Sequence, residues 1–90
     1  MIKIVCAQYA GEYRISCEFS NGMTGTYDLI QLLSANETPL TVSLRDTANF
    51  KHFFLQSGAL CWKNGLELDP IAIYRELDLA GKLQCIKIAA

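Results

Sequence analysis

Two Asn-Gly dipeptides decide where this chain reverses. Asn21-Gly22 and Asn64-Gly65 each lie between runs that alternate apolar and polar residues. Asn-Gly in that setting is a strong hairpin signal, because both residues accept a left-handed backbone. Register then decides the loop length. A two-residue turn at Asn21-Gly22 would pair Phe19 with Thr24 and send Met23 and Tyr27 to the polar side. A three-residue loop, Ser20-Asn21-Gly22, pairs Phe19 with Met23 and Ile15 with Tyr27, keeping apolar with apolar. A one-residue slip turns every side chain over, so the pattern selects the longer loop, with Gly22 left-handed. The same argument at Lys63-Asn64-Gly65 pairs Trp62 with Leu66 and Leu60 with Leu68, with Gly65 left-handed.

Around these turns the other elements fall into place. Residues 2–9 and 12–19 are expected as a first hairpin across Ala10-Gly11. That turn sets Ile4 opposite Cys17 and Cys6 opposite Ile15, all on one face. The first strand, apolar on both faces apart from Lys3 and Gln8, is expected inside the sheet. Asp28 is the expected cap of a short helix over Leu29–Leu33. Residues 36–39 read as a loop, and Leu40-Thr41-Val42-Ser43-Leu44 alternates as a short strand or extended segment. Asp46 is the next cap, for a helix carrying Phe50, Phe53 and Phe54 inward. Asp69-Pro70 starts the longest helix, with Ile71, Tyr74 and Leu77 as its buried stripe and Gly81 as its stop. A last strand is expected over residues 83–88. The fold class is α+β: a mostly antiparallel sheet of roughly five to seven short strands, with one longer helix and short helical turns, in one domain over residues 1–90.

Composition narrows the function classes. Hydrophobic residues make up 51% of the 90 and charged residues 19%, which excludes a disordered tail. A chain this short buries only about 60–65% of its unfolded surface, so a partner chain is a common source of further burial. The net charge is −1 and the lysines and arginines are scattered singly, without the basic stripe that phosphate binding requires. Nucleic acid is therefore an unlikely partner on charge grounds. No apolar run approaches the ~20 residues of a membrane span. Cys6, Cys17, Cys61 and Cys85 form no CxxC pair and His52 is the single histidine, so no metal site or cofactor site is expected. The thiols read as free in a cytoplasmic setting. Cys6 and Cys17 are expected in the core, as diagonal neighbours roughly 7–8 Å apart and too distant for a disulfide; Cys61 is the candidate for exposure.

The residue order is specific enough to compare with known families. It runs Phe19-Ser20-Asn21-Gly22, Tyr27-Asp28-Leu29 with Leu32-Leu33, Leu44-Arg45-Asp46 with Phe50, then Gly58 to Gly65 containing Cys61-Trp62-Lys63-Asn64 and leading to Asp69-Pro70. Over roughly residues 2–75 this resembles the small bacterial proteins of domain-of-unknown-function family 2442. The family pattern has proline at Lys63, aspartate at Glu67 and glutamate at Ile71. The resemblance implies a small cytoplasmic α+β domain without an established enzymatic activity. For some relatives it implies one half of a two-gene pair, in the manner of toxin–antitoxin modules.

The expected role is a non-catalytic protein-interaction module, its partner an adjacent-gene product or a second copy. Arg45, Asp46, Trp62 and Glu67 are the candidate partner-binding residues; no residue is nominated as catalytic. Each has a structural alternative: Trp62 as core, Asp46 as a helix cap, Arg45 as a side chain lying along the surface. Gly22, Asp28, Asn64, Gly65, Asp69 and Pro70 are expected to serve turns and caps. The alternative of another class is a small hydrolase or nucleotide-handling enzyme around His52, Asp46 and Glu67, with Ser43, Ser57 or Cys61 as nominal nucleophiles. A homodimer is expected, with residues 83–90 either joining it or pairing with the first strand of their own chain.

Overall fold

Local signals place most elements, and packing corrects the rest. The computed structural model describes residues 1–85. In chain order these form β1 (Ile4–Gly11), β2 (Arg14–Phe19), β3 (Met23–Asp28), α1 (Ile30–Ala35), α2 (Pro39–Leu44), α3 (Thr47–Phe50), β4 (Phe54–Gln56), β5 (Ala59–Cys61), β6 (Glu67–Leu68), α4 (Pro70–Leu79) and β7 (Gln84–Cys85). The fold is α+β, as expected, but the strands divide into two antiparallel sheets. One has the order β1-β2-β3-β7 and the other β4-β5-β6.

Both Asn-Gly hairpins have the expected register. Ile15 faces Tyr27 across β2–β3, and Leu60 faces Leu68 across β5–β6. The Gly22 N–H donates to the Phe19 carbonyl at 3.0 Å and the Gly65 N–H to the Trp62 carbonyl at 3.0 Å. Both glycines are left-handed, at φ +87° and +101°. In each loop the asparagine side chain locks the turn: Asn21 Oδ1 accepts from the Met23 N–H, and Asn64 Oδ1 from the Leu66 N–H.

The first hairpin differs from expectation. Its two-residue turn is Glu12-Tyr13, with both residues left-handed at φ 53° and 60°, and Gly11 pairs with Arg14. Tertiary contacts compensate the strain at Tyr13. Its ring packs edge-on against Phe50 at 5.3 Å, and its hydroxyl donates to the Arg45 carbonyl. The ladder also carries an irregularity between Ile4 and Cys6 and another between Tyr9 and Gly11. The first inserts one residue into β1, which reverses the alternation. Ala7 therefore takes the place opposite Cys17, and Cys6 is exposed rather than in the core. β1 lies at the edge of its sheet, not inside it.

Further corrections follow from capping and packing. Residues 39–44 are helical, not extended. Thr38 and Thr41 form a reciprocal capping box and Pro39 opens the helix. The five-residue alternation from Leu40 to Leu44 also satisfies the i, i+4 spacing of a helix face, so periodicity alone did not decide. The helix capped by Asp46 ends at Phe50; Phe53 is half-buried, and Phe54 lies on β4 with 40% exposure. Asp28 accepts the Ile30 N–H at 2.9 Å, and the helix begins one residue later than expected. α4 buries Ile73 and Leu77, with Tyr74 half-buried, in place of a stripe starting at Ile71. Cys61 is buried on β5. The last strand pairs with β3 through Met23–Cys85 and Thr24–Gln84, not with β1. The remainder of the expected 83–88 strand, and the tail to Ala90, lie outside the described residues from position 86 onward.

α4 closes on a helix stop made by Gly81. The Gly81 N–H donates to the Asp78 carbonyl and the Lys82 N–H to the Leu77 carbonyl, a Schellman arrangement with Gly81 at φ +68°. This end of α4 lies on bare backbone. A Cβ built at Gly25 of β3 would sit 2.8 Å from Leu77 Cδ1 and 3.3 Å from the Lys82 carbonyl. Gly25→Ala is accordingly expected to destabilise the fold by about 1–3 kcal/mol through overpacking, read as a lower urea midpoint at unchanged m. An unchanged midpoint would show that α4 can shift away without penalty.

Candidate functional site

The residues singled out by sequence are mostly absorbed by the architecture. Trp62 is 3% exposed, and its indole N–H donates to the Phe50 carbonyl at 2.9 Å. Asp46 Oδ1 accepts the Ala48 N–H as the cap of α3, and Asp69 Oδ1 accepts the Ile71 N–H as the cap of α4, which Pro70 opens. The Arg45 guanidinium donates through Nε to the Leu33 carbonyl at 2.9 Å. It also donates to Asn36 and forms an exposed ion pair with Glu37 at 2.8 Å. It thus clamps the end of α1 to α2. Glu67 is exposed on β6 opposite Cys61, and no ion pair among the described residues joins it to Arg45. Asn64 Nδ2 reaches the Leu40 carbonyl at 3.0 Å, tying the second hairpin to α2.

Two of the clefts among the described residues bear on the expected chemistry. His52 is exposed beside Ser43, Asn49, Trp62, Lys63 and Asn64, around about 250 Å³. Neither Asp46 nor Glu67 lines that cleft, so the trio of the enzyme alternative is not assembled there. The wider cleft, about 490 Å³, lies between α1 and the end of α4. The Tyr27 hydroxyl there donates to Glu76 Oε2. Burial, and then the bond to Glu76, push the Tyr27 phenol well above its usual range. A phenol held protonated on a carboxylate is a structural pair; Thr26 and Lys82 line the same cleft. Among the described residues no cluster of three or more His, Cys, Asp or Glu is arranged to hold a metal ion. None of their helices is long and apolar enough to cross a membrane.

What remains unmatched is a strand edge. β1 is eight residues long, lies at the end of its sheet, and carries no charged residue and no proline from Ile4 to Gly11. Natural edge strands are usually protected by such residues. The pairing shows which backbone groups face outward. Gly11 and Arg14 close a two-residue turn, so they are a hydrogen-bonded pair. Alternation along the ladder then makes Gln8–Ser16 and Cys6–Glu18 hydrogen-bonded pairs, and Tyr9–Ile15 and Ala7–Cys17 non-bonded ones. Ile4 behaves accordingly: it faces Phe19, and its N–H turns away from β2 to the Gly58 carbonyl at 2.9 Å. Ala7 and Tyr9 likewise aim N–H and C=O away from β2, and among the described residues no backbone or side-chain group meets them. Val5, beside them, is 55% exposed. The Arg14 guanidinium donates to the Ala10 and Gly11 carbonyls, covering the far end. β4 lies close against β1 from the Ile4–Gly58 bond onward, so the stretch from Val5 to Tyr9 is without hydrogen-bond partners rather than open.

The sequence model of the family described as "Protein of unknown function (DUF2442)" matches residues 4–78. The chain belongs to that family. The resemblance read from the turn and cap residues is thereby confirmed, with bounds close to those expected. No curated protein and no solved structure matches the chain. The DUF2442 match takes in the whole of β1 and stops within α4, so the unbonded edge belongs to the family domain and β7 lies beyond it.

The thiols divide by position. Cys17 is buried, and burial, followed by the nearby Cys6 sulfur, raises its pKa from 9.0 to about 12. Burial, followed by the Glu67 charge, also raises Cys61. Cys6 and Cys85 are exposed. A thiol reagent should label Cys6 and Cys85 in the folded protein, and Cys17 and Cys61 only on unfolding. Because folding raises the Cys17 pKa, its stabilising contribution is full below 9.0 and is lost as pH climbs toward about 12. The urea midpoint should fall across that window, and less steeply in Cys17→Ala. Labelling of Cys17 as fast as Cys6 would contradict this picture.

Proposed function

We propose that this DUF2442 domain is a non-catalytic protein-interaction module that receives a β-strand of another chain on the unbonded edge of β1. One observation carries the reading: the outward N–H and C=O groups of Ala7 and Tyr9, on an uncharged strand, with no partner among the described residues. Strand addition satisfies such groups directly, and the neighbouring side chains then select the partner. The smaller cleft supports this reading by contrast: Ser43, Asn49 and His52 line it, but no hydrogen bond among the described residues joins the His52 ring to either side chain, and the Asn49 amide is spent on the Ser43 carbonyl. A two-gene pair of the toxin–antitoxin kind, implied by the family resemblance, is a setting in which another chain covers such an edge. We place the module in the cytoplasm, a reading supported by four free thiols. Arg45, Asp46 and Trp62 act in this reading as supports of the fold, and Glu67 as a rim residue.

Proline at Ala7 tests the edge. The Ala7 N–H does not serve the β1–β2 ladder, so Ala7→Pro leaves that ladder intact while removing an outward donor. A tagged chain, expressed in its native host, should retain a partner, whether another protein or an untagged copy. Ala7→Pro, folded by circular dichroism, should lose that partner, and Glu67→Gln should keep it. Retention of the same partner by Ala7→Pro would overturn the assignment to β1.

A further inference from the structure

The cleft beside His52 is built from three segments of the chain. Ser43 and Leu44 end α2, Asn49 lies on α3 with His52 just beyond it, and Trp62, Lys63 and Asn64 belong to the second Asn-Gly hairpin. We propose that this cleft binds a small organic anion, a carboxylate or phosphate group carried on a short apolar body. The inference stands apart from the reading of β1.

The polar groups already in use indicate what a ligand must supply. Asn49 Nδ2 donates to the Ser43 carbonyl at 3.1 Å and Asn64 Nδ2 to the Leu40 carbonyl at 3.0 Å. Asn64 Oδ1 accepts the Leu66 N–H. These bonds hold α3 and the hairpin on α2, so the walls keep their spacing before a ligand arrives. The His52 ring, the Lys63 ammonium and the Ser43 hydroxyl are left over; among the described residues none makes a hydrogen bond or an ion pair. All three can donate, and two of them can carry positive charge. The Asn49 amide oxygen is also unspent, a neutral acceptor that leaves the balance of charge positive. No Asp or Glu lines the cleft. An anion satisfies such a set, whereas a cation would meet Lys63 with no carboxylate to offset it. The wider cleft is different, because Asp28 and Glu76 stand there with Lys82.

The floor selects the rest of the ligand. Trp62 and Leu44 line it, and both are buried. Every polar group of Trp62 is engaged. Its indole N–H donates to the Phe50 carbonyl, its main-chain N–H to the Leu66 carbonyl, and its own carbonyl accepts from Gly65. Trp62 therefore offers a ligand only carbon. A short apolar group beside the anion covers that strip; a bare inorganic ion does not. The volume, about 250 Å³, lies just below the roughly 300–1,000 Å³ of drug-sized sites, so the body is small.

Trp62 is the only tryptophan, so its fluorescence and its indole N–H resonance report on the cleft directly. Benzoate and phenyl phosphate, titrated into the full chain, should each shift the indole N–H and the Asn49 and Asn64 side-chain amides together, with saturation. The tighter of the two identifies the anionic group. Lys63→Gln and His52→Gln replace exposed side chains, and each alone should raise Kd about three- to tenfold. Lys51→Gln removes a charge from outside the lining, where Lys51 lies over the Tyr9 ring, and should change Kd less than about twofold. No saturating shift with either probe overturns the proposal, as does an equal loss of affinity in all three variants or a loss in none. Benzyl alcohol binding as tightly as benzoate would overturn the anion. Inorganic phosphate binding as tightly as phenyl phosphate would overturn the apolar body.

Discussion

Phe50 is the point on which the two sheets depend. It is fully buried, at the end of a one-turn helix that has little stability of its own. Tyr9 and Tyr13 of the first hairpin meet its ring edge-on, at 5.8 and 5.3 Å between centroids. Trp62, just after β5 of the second sheet, lies 5.7 Å away and donates its indole N–H to the Phe50 carbonyl. Each pair adds about 0.5–1.5 kcal/mol beyond its buried area. More important is the direction of the contacts: three rings from two distant parts of the chain converge on one residue. The Asp46 cap orients that residue, and Lys51, just beyond it, lies over the Tyr9 ring. The path of the chain between the sheets is thus set by a few aromatic contacts and one buried hydrogen bond.

This arrangement explains which parts of the fold are legible from sequence. The two Asn-Gly hairpins are read correctly because loop, register and burial are set within about a dozen residues. The caps at Asp46 and Asp69 are read correctly for the same reason. The first hairpin is misread because its turn answers to Phe50 and Arg45, more than thirty residues away, as the Tyr13 hydroxyl bond shows with a separation of 32. Residues 40–44 are misread because five residues are too few to separate a period of two from a helical i, i+4 face. The candidate site is the least legible feature. No residue marks a strand as terminal, since that property belongs to the order of the sheet. The available signal was negative: an eight-residue strand without charge or proline. The same run also fits a central strand, the other environment in which it occurs, so sequence alone does not separate the two.

Three of the four residues expected to bind a partner hold the framework. Trp62, Asp46 and Arg45 spend their polar groups on backbone carbonyls and amides of the same chain. Arg45 alone reaches the carbonyls of Leu33 and Asn36 and the carboxylate of Glu37. A small DUF2442 domain has few side chains to spare for this work, and its helices are mostly too short to stand without it. The polar groups left unspent among the described residues include backbone ones, on the longest strand.

The sheet order also bears on how the chain reaches this state. Pairings β1–β2, β2–β3, β4–β5 and β5–β6 each join neighbours along the chain. Such contacts close short loops and form early. β7 is different: Thr24 and Gln84 meet across 60 residues. Loop-closure entropy opposes that contact. The end of α4 must first come to rest on Gly25 before β7 has a strand to join. Folding therefore finishes at the C-terminal edge of the sheet, and opening begins there, while the β1 edge is complete from the first hairpin onward.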